Sequence, residues 1–294
     1  GTAANNRAET EGNITTLQKL IWQGAPHSTV SAEAIRFALR RILATMEKDG
    51  TNRSWDENDR VNVWQEPGFK GWDKDSGKTF IDDDLLGFMA AEAAKEEGQK
   101  GEANVRRAVL EVTRAVSLTP WTGDVTFNAA SPGATPSAQK KGSNPVPYGT
   151  EVHATRYQFG LALTPERLRD KSRASKAVIA ISQLGTVAGN HGRFLYDFSP
   201  ESIVLRLTQD PAPRLLYCFE QVEEGKTVDA PTLLARVKAG DIDAKELILG
   251  GTFATTATGK ELQKLGATDP SPDGVKAAAA EAVKRITQAL GIKE

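Results

Sequence analysis

A segment rich in Pro, Gly and Ser, residues 128–149, is the feature that most constrains the fold of this chain. It reads NAASPGATPSAQKKGSNPVPYG and lies between a strand-like stretch, Asp124–Phe127, and an alternating strand at His153–Leu163. A loop of this length inside a compact domain is usually functional or disordered. We therefore expect residues 128–149 to lie outside the core, as an arm between two strands.

An amphipathic helix is predicted between Ser31 and Met46. Ser31 is a good N-cap and Glu33 lies in the first turn, so the helix start combines free backbone N–H groups with a positive dipole end. Arg36 and Arg40 are four residues apart and share a face. The face next to them is an apolar stripe formed by Ile35, Leu39, Ile42 and Leu43. This arrangement suits an anionic backbone as ligand.

Polar and cationic side chains continue toward the N-terminus through what we interpret as a first short helical pattern. Arginines on a helix more often only make an exposed face soluble. The pattern by itself therefore favours solvent-exposed arginines that bind no ligand. The alternative is a track of contacts to phosphates, formed by Asn6, Arg7, Asn13, Gln18, Lys19, Trp22, Ser31, Arg36, Arg40 and Arg41.

A polar region with three tryptophans follows the helix and extends to about residue 104. It is interpreted as an inserted subdomain. Asp82–Asp84 is expected to cap a short apolar helix at Leu85–Ala90. The sequence Gly77-Lys78-Thr79 resembles the end of a P-loop, but Trp72 occupies the position where that motif requires glycine, so we predict a turn.

The remaining segments alternate strands and helices in an order typical of an α+β fold. Residues 105–118 are ambiguous between helix and strand. A helix is expected to begin at Thr164-Pro165-Glu166, with an apolar face later in its course. The other predicted elements are strands at Ser202–Leu207 and Arg214–Phe219, a helix at Thr232–Lys238, a turn at Gly250-Gly251 and a helix at Val275–Leu290.

Composition places the chain among ordinary globular proteins of one or two domains. The chain has 294 residues, of which 39% are hydrophobic, and its net charge of −1 means that only local patches can support nucleic-acid binding. The single Cys218 lies in an apolar run, which predicts a buried thiol and a reduced, cytoplasmic setting. No apolar run approaches the roughly 20 residues that cross a bilayer, so we expect no membrane association.

Taken together, these motifs resemble the CRISPR-associated DevR family. The similarity extends over nearly the whole chain and is strongest over residues 5–43 and 117–164. It is carried by Asn6-Arg7, Asn13, Gln18-Lys19, Ser31, Ile35-Arg36 and Arg40, and by the segments SLTPWTGDVTFNAASPGATPSAQ and VPYGTEVHATRYQFGLAL. The family begins with an apolar strand at the centre of its sheet that ends just before the Asn-Arg pair, whereas this chain starts at Gly1 without that strand.

The resemblance implies an α+β fold shaped like a hand, and it favours an extended segment over residues 105–118. Its palm is a modified ferredoxin-like fold, related to the RNA-recognition motif, and comprises residues 1–45, 105–125 and 151–294. Residues 46–104 form an inserted finger, and residues 126–150 form a protruding thumb loop.

The resemblance also implies a function, that of a backbone subunit in a type I Cascade surveillance complex, with subtype I-B favoured. Several copies would assemble head to tail along one CRISPR RNA, together with other Cascade subunits, and target DNA would be recognised by base pairing with the guide. No catalytic residue, cofactor or metal is implied. The implied RNA-binding residues are the N-terminal track above and Lys140 and Lys141 in the thumb. Independently of the resemblance, the glycines around Asn190, His191 and Arg193 permit close approach to a phosphate with Arg193 as counter-charge, and a glycine-rich helix terminus is the equally supported alternative.

Two alternatives stay open at this point. The first is a metal-dependent ribonuclease of the type III kind that uses an aspartate of Asp82–Asp84. The second is a stand-alone RNA-binding regulator outside any complex. A zinc site is not expected, because His27, His153 and His191 are widely spaced and lack cysteine partners.

Overall fold

The computed structural model describes residues 2–3, 7–12, 14–59, 61–75, 77–91, 103–133, 145–187, 197–222, 227–270 and 274–292. Strands and helices alternate through these ranges, which confirms the predicted α+β class. None of the helices in the described ranges has the length and apolar character needed to cross a membrane.

Two sheets contain most of the longer strands. The first is antiparallel in the order β1-β14-β11-β5-β4 and consists of β1 (Thr2–Ala3), β4 (Lys19–Trp22), β5 (Ala25–Val30), β11 (Ala115–Ser117) and β14 (Thr155–Gln158). The second has the order β12-β13-β3-β2 and consists of β2 (Arg7–Glu11), β3 (Ile14–Leu17), β12 (Val125–Ala130) and β13 (Val146–Glu151). Its β13–β3 pair is parallel.

The other strands form two-stranded antiparallel pairs. These are β6 (Arg53–Asp56) with β7 (Val61–Trp64), β8 (Phe88–Ala91) with β9 (Ala103–Arg106), β10 (Leu110–Val112) with β15 (Leu161–Leu163), β16 (Ser202–Arg206) with β19 (Leu247–Gly251), and β17 (Glu220–Val222) with β18 (Thr227–Asp229). The helices are α1 (Ala32–Leu43), α2 (Ile81–Leu86), α3 (Arg173–Ser182), α4 (Pro231–Lys238), α5 (Ala257–Lys264) and α6 (Val275–Ala289).

The apolar core consists of two clusters on either side of the β16–β19 pair. The main cluster joins α1, α3 and α6, and the predicted stripe of α1 contributes Ile35, Leu39 and Leu43, all fully buried. The second cluster lies around Leu233 and Phe253 and includes Cys218, whose burial raises the pKa of its thiol to about 11. The predicted buried thiol is therefore confirmed.

Several sequence-based predictions of single elements are confirmed. Ser31 caps α1 by accepting a hydrogen bond from the backbone N–H of Ala34 at 3.2 Å. Residues 103–118 are largely extended, as β9, β10 and β11. The predicted strand at Ser202–Leu207 and the two helices at Thr232–Lys238 and Val275–Leu290 match β16, α4 and α6 to within one residue.

The first short helical pattern is wrong, because residues 7–30 form the strands β2–β5. Gln23 and Gly24 both have positive φ and join Trp22 to its cross-strand partner Ala25. Two successive left-handed residues give the tight turn whose twist matches a β-hairpin. Local turn geometry therefore makes this segment a hairpin.

Two further helix predictions need correction. The apolar helix expected at Leu85–Ala90 is wrong: α2 ends at Leu86, Gly87 has a φ of 69°, and the chain continues as strand β8. The helix expected from Thr164 begins only at Arg173, after a short 3₁₀ turn at Pro165–Arg167. Between them, the backbone N–H groups of Arg169 and Asp170 donate to the Asp84 carboxylate instead of to helical carbonyls.

Two other predictions, a strand at His153–Leu163 and a loop at residues 128–149, give the right kind of element but the wrong bounds. The strand expected at His153–Leu163 is divided into β14 and β15. The loop expected at 128–149 contributes its ends to the β12–β13 hairpin, in which Asn128 pairs with Tyr148. Its central part, residues 134–144, lies outside the described residues.

The strand expected at Arg214–Phe219 is wrong. Arg214 and Tyr217 have φ values of 47° and 52°, which a strand does not allow. The segment is held instead by side chains: the Tyr217 hydroxyl donates to the backbone carbonyl of Arg114 at 2.8 Å, and the backbone N–H of Phe219 donates to Gln158.

The turn expected at Gly250-Gly251 is also wrong, because both residues belong to β19. Glycine is needed at position 250 for close packing rather than for a turn. A Cβ atom there would lie 2.5 Å from the Cβ of Ala278 and 2.9 Å from the carbonyl oxygen of Gly274, so α6 packs directly against the strand backbone.

We therefore expect Gly250→Ala to lower the free energy of unfolding by about 1–3 kcal/mol through overpacking. Urea denaturation of the variant and the wild-type protein measures this loss. Gly185→Ala is the control, since a Cβ atom at Gly185 would meet no atom within 4 Å. Equal stability of the two variants would show that α6 moves away from β19 at little cost.

Candidate nucleic-acid interface

An open cleft of about 480 Å³ lies where α1, the junction of α2 with β8, and the segment from β9 to β10 meet. Its polar lining is cationic except for one carboxylate. The lining residues are Arg36, Leu86, Gly87, Phe88, Arg106, Arg107, Ala108 and Glu111. Three guanidinium groups therefore share one concave surface, although the chain as a whole is nearly neutral.

Two of the three arginines have unsatisfied hydrogen-bonding capacity. The Nε atoms of Arg36 and Arg106 are buried and have no hydrogen-bond partner among the described residues. An unpaired buried N–H group is costly, and a guanidinium fork matches the oxygens of a phosphate. Arg107 differs, since its side chain is 76% exposed and pairs with Glu111 at 2.9 Å.

Gly87 brings the backbone close to this cleft. It has a φ of 69°, and a Cβ atom there would lie 2.3 Å from the carbonyl oxygen of Arg106 and 2.7 Å from the backbone nitrogen of Ala108. The end of α2 thus packs tightly against the two residues that flank Arg107. This packing fixes the backbone from which Arg106 and Arg107 project.

The three aspartates of α2 are buried behind the cleft and are not helix caps. Phe80 occupies the N-cap position, and Asp82, Asp83 and Asp84 lie in the first turn with side chains at most 3% exposed. Asp82 accepts from the Nε of Arg40 at 3.2 Å and from the backbone N–H groups of Asn52 and Arg53. The prediction of capping is wrong because distant donors, not the helix N–H groups, bind the carboxylates.

Asp84 and Arg173 extend this network toward α3. Arg173 is 4% exposed; it donates to Asp84 at 3.0 Å and forms a two-fold contact with Glu47, through Nε and Nη2, at 3.0 Å each. Lys176 also contacts Glu47, at 2.8 Å. Negative and positive side chains therefore alternate from Asp84 of α2, through Arg173 of α3, to Glu47 in the loop after α1.

Asp83 is the member of the cluster that titrates near neutrality. Burial, followed by the negative charge of Asp82, raises the pKa of Asp83 to about 7. Hydrogen bonds from Asn52, at 2.9 Å, and from Trp72 oppose this shift without cancelling it.

A second group of the predicted residues lies on the edge strand β4 and beside it. Lys19 binds Glu151 and lies 3.9 Å from the centre of the Trp121 ring. Gln18 accepts from Arg114 at 2.9 Å. The Trp22 ring packs 5.0 Å from that of Tyr217. This group is aromatic and partly cationic, but the Lys19 charge is already paired with a carboxylate.

The predicted residues thus fall into separate places. Arg36 lies in the cleft, Arg40 is bound to Asp82, Ser31 caps α1, and Arg41 is exposed on α1. Arg7 begins β2. Seven lie outside the described residues: Asn6, Asn13, Lys140, Lys141, Asn190, His191 and Arg193.

Sequence reasoning missed Arg106, Arg107 and Arg114. The adjacent pair Arg106-Arg107 next to an apolar strand was the available signal, but a pair of arginines at a strand end does not reveal that α1 lies opposite. The structure brings Arg36 and Arg106 together across 70 positions of sequence.

Two of the three histidines meet in a buried polar network within the first sheet. The Nδ1 of His27 donates to the backbone carbonyl of Ser117 at 2.7 Å, and Ser28 Oγ lies 2.7 Å from Nδ1 of His153 and 2.6 Å from the Tyr157 hydroxyl. Burial, followed by the charge of His27, lowers the pKa of His153. Within the described ranges, no three His, Cys, Asp or Glu side chains are placed to hold a metal ion.

The fold is that of proteins from CRISPR RNA-guided machinery. A chain of a solved "CRISPR RNA-guided surveillance complex" superposes with a TM-score of 0.52 at 14% identity, over 96% of each chain. A chain of a second such complex, in a pre-nicking state, gives a TM-score of 0.50 at 12% identity, over 97% of each chain. These likenesses define the class by fold alone.

Sequence comparison then identifies the family. The model of the family "CRISPR-associated negative auto-regulator DevR/Csa2" matches residues 2–239. The chain is also 61% identical to the CRISPR-associated protein Cas7/Cst2/DevR of Myxococcus xanthus (strain DK1622), over 97% of this chain and 94% of that protein. The chain belongs to the DevR/Csa2 family, which confirms the resemblance drawn from its motifs.

Proposed function

We propose that this protein is a backbone subunit of a type I CRISPR surveillance complex and binds the sugar–phosphate backbone of CRISPR RNA. Family membership and the fold shared with surveillance-complex chains support this role. The observation that carries the proposal is the cleft in which Arg36 and Arg106 each have a buried Nε that finds no acceptor within the described ranges.

In this role the cleft contacts the phosphates of the RNA, and none of its contacts depends on the identity of the bases. A phosphate oxygen that enters the cleft accepts hydrogen bonds from the guanidinium N–H groups that line it. Contacts to the backbone carry no sequence information, so guides of any sequence bind equally, and base pairing with target DNA remains available. The aromatic group on β4 is a second, separate contact with the same RNA in this proposal.

The same proposal implies that several copies of the protein bind one after another along a single guide RNA. Each copy contacts the next through two different surfaces, and such heterologous contacts generate an open helical assembly rather than a closed ring. The antiparallel sheet that contains β4, β5, β11 and β14 corresponds to the palm, residues 46–104 to the finger, and the β12–β13 hairpin to the base of the thumb. Other Cascade subunits complete the complex.

We assign no cleavage step to this subunit. The aspartates that a nuclease would use are at most 3% exposed, and each accepts hydrogen bonds from side chains or backbone N–H groups of other segments. A carboxylate enclosed in this way has no surface on which RNA can lie. Cleavage of the target therefore belongs to another component.

The test measures loading of the protein on CRISPR RNAs of increasing length by mass determination and fluorescence anisotropy. The wild-type protein is expected to load stepwise, with copy number proportional to RNA length. Arg36→Gln with Arg106→Gln is expected to weaken binding by about 10²- to 10⁴-fold, because two charge-assisted contacts, each worth roughly 1.5–3 kcal/mol, are lost. The slope of log K against log salt should become shallower by about one per lost phosphate contact and copy.

The control is Arg285→Gln with Lys264→Gln, which also removes two positive charges, from α6 and α5, away from the cleft lining. A single bound copy at every RNA length would favour the stand-alone regulator. Metal-dependent cutting of RNA complementary to the guide would favour the nuclease. An equal loss in the control would mean that net charge, not the cleft, determines binding.

A further inference from the structure

Asp84 occupies a central position between the cleft and the body of the protein. Its side chain is fully buried, and each carboxylate oxygen accepts two hydrogen bonds. Oδ1 accepts from Nη2 of Arg106 at 2.6 Å and from the backbone N–H of Arg169 at 3.0 Å. Oδ2 accepts from the backbone N–H of Asp170 at 3.1 Å and from Nη1 of Arg173 at 3.0 Å. All four lone-pair directions of the carboxylate are therefore used.

Arg106 is held on three sides. Besides its contact with Asp84, its Nη2 donates to the backbone carbonyl of Arg167 at 3.0 Å, and its guanidinium lies 4.1 Å from the centre of the Trp72 ring. The side chain is nevertheless 22% exposed and lines the cleft. One face of the guanidinium is thus fixed by protein groups, while the group as a whole borders the open space.

The charges around Asp84 leave the cleft cationic. Asp84 lies between two arginines, and Arg173 in turn contacts Glu47, which also binds Lys176. Asp170 also lies 4.0 Å from Arg173, so three carboxylates face three cations in this chain of contacts. The negative charge of Asp84 is offset within the protein, so it orients Arg106 without repelling an incoming anion.

We infer that Asp84 is a positioning residue for RNA binding: it holds the Arg106 guanidinium at the cleft in the orientation that meets a phosphodiester. This inference rests on the proposed function. An arginine that is already ordered loses little conformational freedom when its ligand binds, which strengthens binding without any new contact. The same carboxylate fixes the segment before α3, so the geometry of the cleft depends on how α2 and α3 pack.

The test is a double-mutant cycle on RNA affinity with Asp84→Asn, Arg106→Gln and the double variant. All variants are measured at a temperature at which circular dichroism shows them to be folded. Asp84→Asn is expected to weaken RNA binding about tenfold in the wild-type background and less than twofold in the Arg106→Gln background. A residue that only stabilises the fold would instead give the same loss in both backgrounds, and that result overturns the inference.

Two further variants keep the test decisive. Arg106→Lys retains the charge but cannot hold the carboxylate and the Arg167 carbonyl in a planar fork, so it should lose most of the affinity while preserving the salt slope. Full affinity in Arg106→Lys contradicts the inference even if Asp84→Asn fails to fold. Glu246→Gln is the control, since it removes a carboxylate from another buried arginine, Arg206, outside the cleft, and should leave RNA affinity unchanged.

The outcomes separate this inference from the proposed function. If the wild-type protein does not bind RNA, or if Arg106→Gln has no effect, the proposed function of the cleft fails. If Arg106→Gln weakens binding while Asp84→Asn does not, the cleft binds RNA and only the positioning role of Asp84 is refuted.

Discussion

Arg173→Met is expected to lower the free energy of unfolding by about 3–5 kcal/mol, the usual loss when one partner of a buried ion pair is removed. Arg173 is 4% exposed and binds two carboxylates, those of Asp84 and Glu47, as well as both oxygens of Thr79. Methionine fills much of the volume but leaves these acceptors without a cation. Urea denaturation at neutral pH measures the loss as a lower transition midpoint at an unchanged slope.

Arg107→Met is the matched control for this prediction. Arg107 also pairs with a carboxylate, that of Glu111, but the two side chains are 76% and 47% exposed. Exposed pairs of this kind contribute between 0 and about 1 kcal/mol. Similar losses in the two variants would show that burial does not strengthen the Arg173 network, and the description of α2 and α3 as ion-paired would have to be revised.

The elements that sequence predicted correctly are those specified by neighbouring residues. Helix α1 has its cap at Ser31 and its apolar stripe within one short segment, and α6 likewise has a continuous apolar face ended by Gly291. Such patterns depend only on helical spacing and on local capping, so no knowledge of the rest of the fold is required.

Several of the elements that sequence misassigned depend on distant partners. Asp82–Asp84 has the composition of a helix start, and only the positions of Arg40 and Arg173 show that the aspartates instead bind arginines of other helices. The late start of α3 has the same cause, since Asp84 captures backbone N–H groups that a helix would use. Long-range electrostatic contacts of this kind leave no periodic signal in the chain.

The candidate site was predictable only in part for a related reason. Arg36 was found because the helix and the family motif both contain it. Arg106 was missed because its role depends on the cleft that it shares with Arg36 of α1 and on the close approach at Gly87. Arg40 shares a helix face with Arg36 in sequence, but a buried carboxylate lies within its reach and binds it.

Asp83→Asn is expected to make the protein more stable relative to wild type as pH rises from 4 to 8. In the unfolded chain Asp83 has an ordinary pKa of 3.8, and in the folded protein burial and the charge of Asp82 raise it to about 7. Between these values the folded state retains a proton that the unfolded state has lost, so the stability of the wild-type protein falls as pH rises through this window. The full difference corresponds to up to roughly 4 kcal/mol, and asparagine, which does not titrate, removes it.

The measurement is urea denaturation of both proteins at several pH values between 4 and 8, because the difference between them cancels every other titrating group. Asp210→Asn is the control: the backbone N–H of Ala212, followed by Arg214 and Arg206, lowers the pKa of Asp210 to about 2. A group with a lowered pKa loses its stabilising contribution only as pH falls below 3.8, so this control should differ from wild type by a constant amount over the same range.

A constant difference for Asp83→Asn as well would mean that Asp83 is ionised throughout, with Asn52 and Trp72 outweighing burial and the charge of Asp82. A difference that grows with pH would instead show that α2 holds a carboxyl that takes up its proton near neutral pH, beside Asp84, the residue that binds Arg106 of the cleft.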